Sequence, residues 1–447
     1  MKIHMIGIGG IGMSALARYY KAQSFQVTGS DGGEMTQIIS DLIKEGIHVT
    51  SGEHKESNVP KDADKIVYTV AICSDNVELV ASHHIVNNSE KKVKILTYAE
   101  ALGEMSDTKK VIAICGSHGK TTTTAMTYFA LKEAGLDPSV IIGSLININN
   151  KKTNYISSED KNSDWLIIEA CEYKRSFMNY NPEIIMVTNI DNDHLDYFKD
   201  MDDIKSAFQE FVNKLNNNLD NNHKLKSKKL IIHESENYLT LENIENIINS
   251  DQIELSTIDL SVPGLHNRKN AQLVLALANT LELDNKKVRD GLKKFTGTWR
   301  RQEYKGKYFN MDFYDDYAHH PSEIKATLQA FKEKYINDIH SKKIIVVFQP
   351  HLYSRTKILF EDFTNSFTDV DEVIILPIFA AREKFDESIS SDMLAQEIRN
   401  KNIQVTYLKD FDTLRDYLEI NANENNVVLT LGAGDIYHIY DILGGEK

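Results

Sequence analysis

The feature that most constrains the fold of this chain is a glycine-rich loop directly after a short apolar run. Residues 111–115 are Val-Ile-Ala-Ile-Cys, the motif Gly116-Ser-His-Gly-Lys-Thr-Thr122 follows, and residues 123–134 suit a helix. In a phosphate loop, backbone N–H groups surround phosphate oxygens, a lysine contacts the β and γ phosphates, and a hydroxyl contacts Mg²⁺. The order of strand, loop and helix predicts an α/β fold. The candidate ATP-binding residues of this loop are Gly116, Ser117, His118, Gly119, Lys120, Thr121 and Thr122.

A second glycine loop lies near the N-terminus. A short apolar strand leads into the motif Gly7-Ile-Gly-Gly-Ile-Gly-Met-Ser14, which opens a predicted helix. This spacing permits a tight turn and a close approach of the backbone to a pyrophosphate, and an acidic residue about 20 positions later is typical of such sites. The alternative is a glycine turn without a ligand. The predicted residues of this nucleotide diphosphate site are Gly7, Gly9, Gly10, Gly12, Ser14, Ser30 and Asp31.

The length of the chain, 447 residues, predicts several domains, because one hydrophobic core rarely supports so many. Three successive sets of short apolar runs alternate with helical stretches, which indicates three α/β units in series. We expect their boundaries at residues 1–105, 106–297 and 298–447. Residues 216–229 are rich in Asn and Lys and are predicted to be a surface excursion of the second unit.

Composition and charge exclude several classes of protein. The net charge of -14 argues against nucleic acid as a partner, because phosphate backbones are bound by clustered Lys and Arg. The three cysteines lack the density and spacing of a disulfide framework, so a cytoplasmic location is expected. The apolar residues 6–17 resemble a signal peptide, but four glycines disfavour that interpretation. The run at 373–381 is too short to span a membrane, so no membrane partner is expected.

Polar residues at two further strand ends are candidate metal ligands. Glu169 follows the apolar run Trp165-Leu-Ile-Ile, at the position where an α/β sheet holds ligands. His194 ends the stretch Thr188-Asn-Ile-Asp-Asn-Asp-His194, which offers oxygen and imidazole groups. A histidine after a strand is often incidental, and that alternative stays open on the residues alone.

In their order along the chain these motifs resemble those of the Mur ligases of bacterial cell-wall synthesis. The resemblance covers nearly the whole chain and is most specific to members that join L-alanine to UDP-N-acetylmuramate. The further stretches that carry it are Glu169-Ala-Cys-Glu172, Gly264-Leu-His-Asn-Arg-Lys-Asn-Ala271, Gly297-Thr-Trp-Arg-Arg301, Asp315-Asp-Tyr-Ala-His-His-Pro321, Phe348-Gln-Pro-His-Leu-Tyr-Ser-Arg355 and Gly432-Ala-Gly-Asp435.

The resemblance implies both an architecture and a reaction. The architecture is an N-terminal Rossmann-like UDP-binding domain, a central P-loop ATPase domain and a C-terminal Rossmann-like domain that closes over the site. The reaction is the ATP-dependent, ADP-forming ligation of L-alanine to UDP-N-acetylmuramate through an acyl phosphate. The implied cofactors are ATP and Mg²⁺, with Mn²⁺ as the alternative metal, and the implied state is a monomer or weak homodimer.

The resemblance also implies roles for polar residues along the chain. The implied metal ligands are Thr121, Glu169 and His194. The implied ATP contacts outside the phosphate loop are Asn267, Asn270, Arg301 and Asp316. The implied catalytic residues are Lys120, Glu169, His194, His319 and Arg355, of which the last two organise the alanine and the acyl phosphate.

Without the family resemblance, most of these residues also have an interpretation in which they serve the structure and not the function. Residues 266–267 are candidate caps of a helix predicted from about residue 270. Residues 300–301 suit a solvated arginine pair and residues 315–316 suit surface acids. Residues 319–321 suit the start of a helix with a proline in its first turn, and Arg355 suits a salt bridge at the rim.

Departures from the family pattern and rival functions also follow from the sequence. Leu352 stands where many relatives have Arg, and Cys171 stands where Asp is more frequent, so no role is transferred to either position. A murein tripeptide ligase is the rival within the family. A nicotinamide-dependent oxidoreductase leaves residues 116–122 unexplained, and a non-catalytic nucleotide-binding regulator is the third alternative.

Overall fold

The computed structural model describes residues 1–33, 35–88, 92–149, 151–160, 163–194, 197–216, 228–235, 239–241, 244–335, 342–381 and 383–444. Most of the predicted surface excursion at 216–229 lies outside these residues. The chain divides into two compact units. The first comprises Met1–Asp191, Asp200–Glu254 and Ala271–Lys294, and the second comprises Asn192–Lys199, Leu255–Asn270 and Phe295–Lys447.

The N-terminal sheet of the first unit has five parallel strands in the order β3-β2-β1-β4-β5. The order reverses at β1, so the loop after β1 lies at the switch point where such sheets bind ligands. The strands are β1 (Lys2–Ile6), β2 (Gln26–Asp31), β3 (His48–Ser51), β4 (Lys65–Tyr68) and β5 (Lys94–Thr97). The helices are α1 (Ile11–Ala22), α2 (Gln37–Lys44), α3 (Val77–Asn88) and α4 (Tyr98–Ser106).

The second sheet of this unit has seven strands in the order β12-β11-β10-β6-β9-β7-β8, and only the β7–β8 pair is antiparallel among them. Its strands are β6 (Lys110–Cys115), β7 (Ser139–Ile148), β8 (Lys151–Ile156), β9 (Trp165–Glu169), β10 (Ile184–Val187), β11 (Lys229–Ile232) and β12 (Ile247–Asn249). Its helices are α5 (Lys120–Glu133), α6 (Met201–Asn213), α7 (Leu265–Thr280) and α8 (Asn285–Lys294), and the division between the two units falls within α7.

The second unit contains a six-stranded sheet in the order β13-β14-β18-β15-β16-β17, parallel except for the β13–β14 pair. The strands are β13 (Glu303–Tyr308), β14 (Met311–Asp316), β15 (Lys343–Phe348), β16 (Glu372–Ile375), β17 (Val405–Tyr407) and β18 (Asn426–Leu431). The helices are α9 (Pro321–Tyr335), α10 (Tyr353–Ile358), α11 (Phe360–Thr364), α12 (Ser391–Arg399), α13 (Phe411–Ile420) and α14 (Ile439–Ile442).

The predicted α/β class is confirmed, since three largely parallel sheets succeed one another at residues 2–97, 110–249 and 303–431. Continuous apolar runs such as Val111–Cys115 are buried, as the sequence predicts. Among the described helices, none is long and apolar enough to cross a membrane. The boundaries of the three domains stay a prediction.

Helix starts differ in a way that bears on function. The Thr97 side chain accepts from the backbone N–H of Glu100, whose carboxylate accepts from the backbone N–H of Thr97, so a capping box begins α4. By contrast, α1 and α5 have Gly10 and Gly119 at their N-caps, without a side-chain cap. The first N–H groups of these two helices are therefore left for another acceptor.

A buried asparagine joins the two sheets of the first unit. Asn154 on β8 donates to the carbonyl of Ile11 at 2.7 Å and to the Ser14 hydroxyl at 2.9 Å. Its carbonyl oxygen accepts from the guanidinium of Arg18, which also contacts Glu45 at 2.9 Å. These contacts hold α1 against β8, because a fully buried amide is stable only when its polar atoms are bonded.

His4 on β1 predicts a pH dependence of stability. Its side chain is 2% exposed, and burial lowers its pKa from 6.5 to about 4, although the charge of Glu78 opposes the shift. The unfolded chain therefore binds a proton between these values while the folded chain does not, so stability is full above pH 6.5 and falls as the pH falls toward 4. We expect the free energy of unfolding of the wild type to fall by about 2 kcal/mol more than that of His4→Phe between pH 7 and pH 5. Calorimetric unfolding at both pH values measures this difference.

The matched control is His48→Gln, since His48 lies on β3 of the same sheet with an exposed side chain. An acid-induced loss that is the same in wild type and His4→Phe would assign the pH dependence to other groups.

Candidate functional site

The phosphate loop connects the buried strand β6 to α5, and its glycines are required by space and conformation. Gly116 has φ +135° and Gly119 has φ +84°, values that L side chains rarely adopt. A Cβ on Gly116 would lie 2.0 Å from the Thr188 hydroxyl oxygen. The loop therefore packs against the end of β10, the strand beside β6 in the sheet.

Residues after β10 hold this loop in place. The Ser117 N–H donates to the Asn189 carbonyl at 3.0 Å, and the Asn189 side chain exchanges hydrogen bonds with the backbone of His118, each 2.9 Å long. The Thr188 hydroxyl donates to the His118 carbonyl, and the His118 ring lies 3.1 Å from the Asp191 carboxylate. The loop conformation is thus fixed by the protein itself.

The side chain of Lys120 folds back along the phosphate loop. Lys120 Nζ donates to the carbonyl oxygens of Gly116 and Ser117 at 2.5 and 3.1 Å. It also lies 3.0 and 2.9 Å from the two carboxylate oxygens of Glu172, whose side chain is 2% exposed. This ammonium is where a phosphate loop places its positive charge.

Thr121 and Glu169 form the oxygen pair that suits a divalent cation. The Thr121 hydroxyl donates to one carboxylate oxygen of Glu169 at 3.0 Å, and the other oxygen accepts from the backbone N–H of Gly143. A Cβ on Gly143 would lie 2.6 Å from that carboxylate and would displace it. A hydroxyl with a carboxylate is the donor set that Mg²⁺ takes, so these two residues could hold the ion.

The N-terminal glycine loop is braced by the end of β2. The backbone N–H groups of Gly7 and Ile8 donate to the Ser30 carbonyl at 2.8 and 3.0 Å, and the Gly9 N–H donates to the Asp31 carboxylate at 2.8 Å. Gly12 faces the ring of Tyr98, where a Cβ would lie 2.9 Å from the ring. The last glycine therefore serves helix packing against α4.

The two serines predicted for this site are engaged within the protein. Ser30 is buried and donates to the fully buried carboxylate of Glu78 at 2.5 Å. The Ser14 hydroxyl donates to the Ile11 carbonyl at 2.9 Å and accepts from Asn154. Contacts of Ser14, Ser30 and Asp31 to a bound nucleotide stay a prediction.

In the second unit, the interpretation of Arg300 as solvated and Asp315 as a surface acid is wrong. The two side chains are 2% and 0% exposed, and Arg300 Nε lies 2.9 Å from Asp315 Oδ2. The remaining guanidinium nitrogens donate to the carbonyls of Gly432 and Gly434. The buried pair ties the segment before β13 to β14 and to the loop after β18.

Beside this pair lie two residues predicted to contact ATP. Arg301 is half-buried over the ring of Tyr317, with one guanidinium nitrogen 3.4 Å from Glu323. Asp316 accepts from the backbone N–H groups of Gln302 and Ala318, at 2.9 and 2.8 Å. Burial raises the pKa of Asp316 from 3.8 to about 6, although the charge of Arg301 opposes the shift. Asp316 is 3% exposed, so its interpretation as a surface acid is also wrong.

His319 precedes α9, which begins at Pro321 as the sequence predicts. Its Nδ1 lies 2.9 Å from the Tyr317 carbonyl, which can only accept, so Nδ1 carries the hydrogen and Nε2 presents a lone pair. Burial lowers the pKa of His319 from 6.5 to about 3, although the Glu323 carboxylate opposes the shift. The ring is therefore neutral at pH 7.

Arg355 on α10 lines an open pocket in this unit. One guanidinium nitrogen lies 3.2 Å from the His351 ring and another 3.6 Å from the Asp193 carboxylate. The pocket combines the charges of Asp193 and Arg355 with the apolar side chains of Leu352, Ile358 and Leu359. It is lined by Asn192, Asp193, His194, Leu352, Ser354, Arg355, Ile358 and Leu359.

The remaining predicted residues lie near the start of α7. Asn267 and Asn270 are 5% and 6% exposed, and the Asn267 amide donates to the Pro263 carbonyl at 2.6 Å. Because α7 begins at Leu265, His266 and Asn267 lie inside its first turn, and their interpretation as caps of a helix starting near residue 270 is wrong.

Thus the structure groups Lys120, Thr121 and Glu169 in the first unit and His319, Arg355 and His194 in the second. Glu172, Asp193 and Glu323 are not among the predicted site residues. A signal was available for two of them: Glu172 follows Glu169 by three residues, and Glu323 stands four residues after His319. All assignments of site residues to ligands stay predictions.

Three family models match the chain. They are "Mur ligase family, catalytic domain" over residues 2–110, "Mur ligase middle domain" over residues 114–278, and "Mur ligase, glutamate ligase domain" over residues 300–434.

Relatives of known name match over almost the full length. The UDP-N-acetylmuramate–L-alanine ligase of Clostridium botulinum is 40% identical over 98% of this chain and 96% of the relative. That of Clostridium tetani is 39% identical over 99% and 97%. The crystal structure of the UDP-N-acetylmuramate-alanine ligase MurC of Thermotoga maritima has a TM-score of 0.79 and 26% identity, and covers 99% of this chain and 98% of that one. A murein peptide ligase from Psychrobacter arcticus shares the fold, with a TM-score of 0.67 and 21% identity over 99% and 98%.

The buried pair of Arg300 and Asp315 generates a stability prediction. Arg300→Met leaves the Asp315 carboxylate buried without its charged partner, so we expect a loss of about 3–5 kcal/mol. Adding Asp315→Asn should recover part of that loss, because the uncompensated charge is then removed. Urea unfolding of the single and double variants measures both effects.

Arg415→Met is the matched control, because Arg415 forms an exposed pair with Glu419 in the same unit. It should cost less than about 1 kcal/mol. Equal losses for the two arginines would contradict a special role of the buried pair.

Proposed function

The chain belongs to the Mur ligase family, and on that premise we propose that it joins L-alanine to the carboxylate of UDP-N-acetylmuramate, consuming ATP and releasing ADP and phosphate. The observation that carries the proposal is the phosphate loop whose Lys120 and Thr121 each contact a carboxylate, Glu172 and Glu169. Two clostridial relatives named for this ligation span nearly the whole chain, which supports the choice of substrates.

The chemistry explains why ATP is needed. A carboxylate oxygen is a poor leaving group, so an amine cannot displace it in water. Transfer of the γ-phosphoryl group to the carboxylate forms an acyl phosphate and releases ADP. The alanine amine then attacks the acyl carbon, phosphate leaves, and the amine loses a proton. Positioning and neutralisation of charge are the protein's main contributions to such a step.

On the first unit we assign the phosphate chemistry to residues of the loop. Lys120 contacts the β and γ phosphates, and the N–H groups of residues 116–122 surround them. Thr121 and Glu169 would hold Mg²⁺, and Mn²⁺ is the alternative ion. Bound there, the ion neutralises charge on the transferring phosphoryl group. His194, which belongs to the second unit, is the further metal ligand that the family resemblance implies. The loop of Gly7 to Gly12, with Ser14, Ser30 and Asp31, binds the UDP portion.

On the second unit we assign contacts to the nucleotide and to alanine. Asn267 and Asn270 contact the adenine region, and Arg301 and Asp316 contribute further contacts to ATP. Arg355 binds the alanine carboxylate by a two-point contact. The neutral His319 presents the Nε2 lone pair to the alanine amine and orients it.

We place the reaction in the cytoplasm, with small molecules as its partners and the protein as a monomer or weak homodimer. The three cysteines show no disulfide spacing and are unpaired in the structure, which suits a reducing compartment. We propose domain boundaries at 1–105, 106–297 and 298–447.

The experiment that tests substrate and reaction together is phosphate release with UDP-N-acetylmuramate and a panel of acceptors. L-alanine should support turnover, whereas glycine, serine and the murein tripeptide should support less. Activity with the tripeptide alone would make the chain a murein peptide ligase, and ATP binding without substrate-dependent release would make it a regulator. Oxidation of a nicotinamide cofactor would indicate the oxidoreductase.

Lys120→Ala should abolish the phosphate release that depends on both UDP-N-acetylmuramate and L-alanine. The loop then lacks the positive charge that stabilises the transferring phosphoryl group, and a loss of more than about 100-fold in kcat/KM is expected. Lys132→Ala is the matched control on the same helix, because Lys132 pairs with Asp137 away from the loop. Near-normal turnover of Lys120→Ala would contradict the assignment.

Leu352→Arg should be tolerated, with the KM for alanine changed less than about threefold. Leu352 has φ +71°, a strain that any side chain with a Cβ shares, so the substitution adds no backbone cost. Its half-buried side chain lines an open pocket, which leaves room for a longer one. Initial rates against alanine concentration measure this, and loss of alanine affinity would give Leu352 a local role of its own.

A further inference from the structure

The contact between Lys120 and Glu172 points to a function for an acid that the phosphate-loop assignment does not use. The two carboxylate oxygens of Glu172 lie 2.9 and 3.0 Å from Lys120 Nζ. The Glu172 side chain is 2% exposed and that of Lys120 is 15% exposed. Removing one partner of an ion pair shielded this well from water is costly, because the other charge then stays buried without compensation.

The donors of Lys120 are already shared among protein acceptors. The ammonium has three hydrogens, and its contacts include the Glu172 carboxylate and the carbonyls of Gly116 and Ser117. A nucleotide phosphate that binds the lysine therefore competes with Glu172. When the phosphate binds Lys120, the buried Glu172 carboxylate lies beside a second anion. This arrangement is unfavourable unless another cation is present.

We propose that Glu172 is a positioning residue that competes with nucleotide phosphate for Lys120 and so makes ATP binding depend on a divalent cation. This inference rests on the proposed function, since it concerns the same phosphate loop. Thr121 and Glu169 supply oxygens that suit such a cation, and its charge offsets that of the two carboxylates. Without a cation, the ATP phosphates are repelled by the carboxylates of Glu169 and Glu172, and they share the Lys120 ammonium with Glu172.

The test measures ATP binding by calorimetry without UDP-N-acetylmuramate or alanine, once in EDTA and once with excess Mg²⁺. Glu172→Gln keeps the shape and an acceptor for Lys120 but removes the charge. We expect it to tighten binding of metal-free ATP at least tenfold and to change binding of Mg·ATP less than threefold. The ratio of the two Kd values should therefore fall about tenfold. Unchanged or weaker binding of metal-free ATP by Glu172→Gln would overturn the proposal.

Two controls separate this role from a general effect of charge or structure. Glu159→Gln removes an acid of the same unit whose side chain is 85% exposed, and should leave the Kd ratio at the wild-type value. Glu172→Asp keeps the charge and should retain the weak binding of metal-free ATP. A fall in the ratio for Glu159→Gln as large as that for Glu172→Gln would overturn the proposal.

A second variant keeps the proposal testable if Glu172→Gln does not fold. Because Lys120→Met leaves the buried Glu172 carboxylate without its partner, it should weaken metal-free ATP binding by at least ten times the factor by which it weakens Mg·ATP binding, so the ratio of the two Kd values should rise. Equal, strong losses in both would overturn the proposal. Wild-type protein that binds neither form of ATP would instead refute the proposed function, whereas normal Mg·ATP binding with an unaltered ratio in Glu172→Gln refutes only the role of Glu172.

Discussion

The close packing of Gly116 against Thr188 is the constraint on which the phosphate site depends. Parallel pairing of β6 with β9 and β10 brings three strand ends to one edge of the sheet, and each contributes a different group. The loop follows β6, Glu169 ends β9, and Thr188 and Asn189 follow β10. Because the loop is tied to its neighbour before any ligand arrives, little conformational entropy remains to be lost when phosphate binds.

In the second unit, a buried ion pair fixes the positions of the neighbouring residues. Arg300 and Asp315 neutralise each other in the interior, and their neighbours in the chain, Arg301 and Asp316, are thereby held at the carboxyl end of β14. A burial that would be unfavourable for either charge alone is tolerated because the guanidinium satisfies a carboxylate and two carbonyls together. The positions of Arg301 and Asp316 thus follow from the burial of Arg300 and Asp315.

The sequence predicts what is local and misses what depends on distant partners. The glycine loops, the start of α9 at Pro321 and most central strands follow from short patterns. The burial of Asp315 does not, because its partner Thr430 lies on β18, more than a hundred residues away. The edge strand β13 was also missed, since its Glu, Tyr and Lys residues are the polar kind that protects a sheet edge. The apolar strand β7 was missed because no strong turn signal marks its pairing with β8.

Asn154 carries a consequence for modularity. Its amide forms hydrogen bonds with Ile11, Ser14 and the guanidinium of Arg18. These bonds attach α1, the helix after the first glycine loop, to the β7–β8 hairpin of the neighbouring sheet. An N-terminal domain exchanged into this chain would keep these hydrogen bonds only if its first helix carries side chains equivalent to Ser14 and Arg18. The support of the first glycine loop therefore depends on a residue of the neighbouring sheet, and the two sheets of this unit are not independent modules.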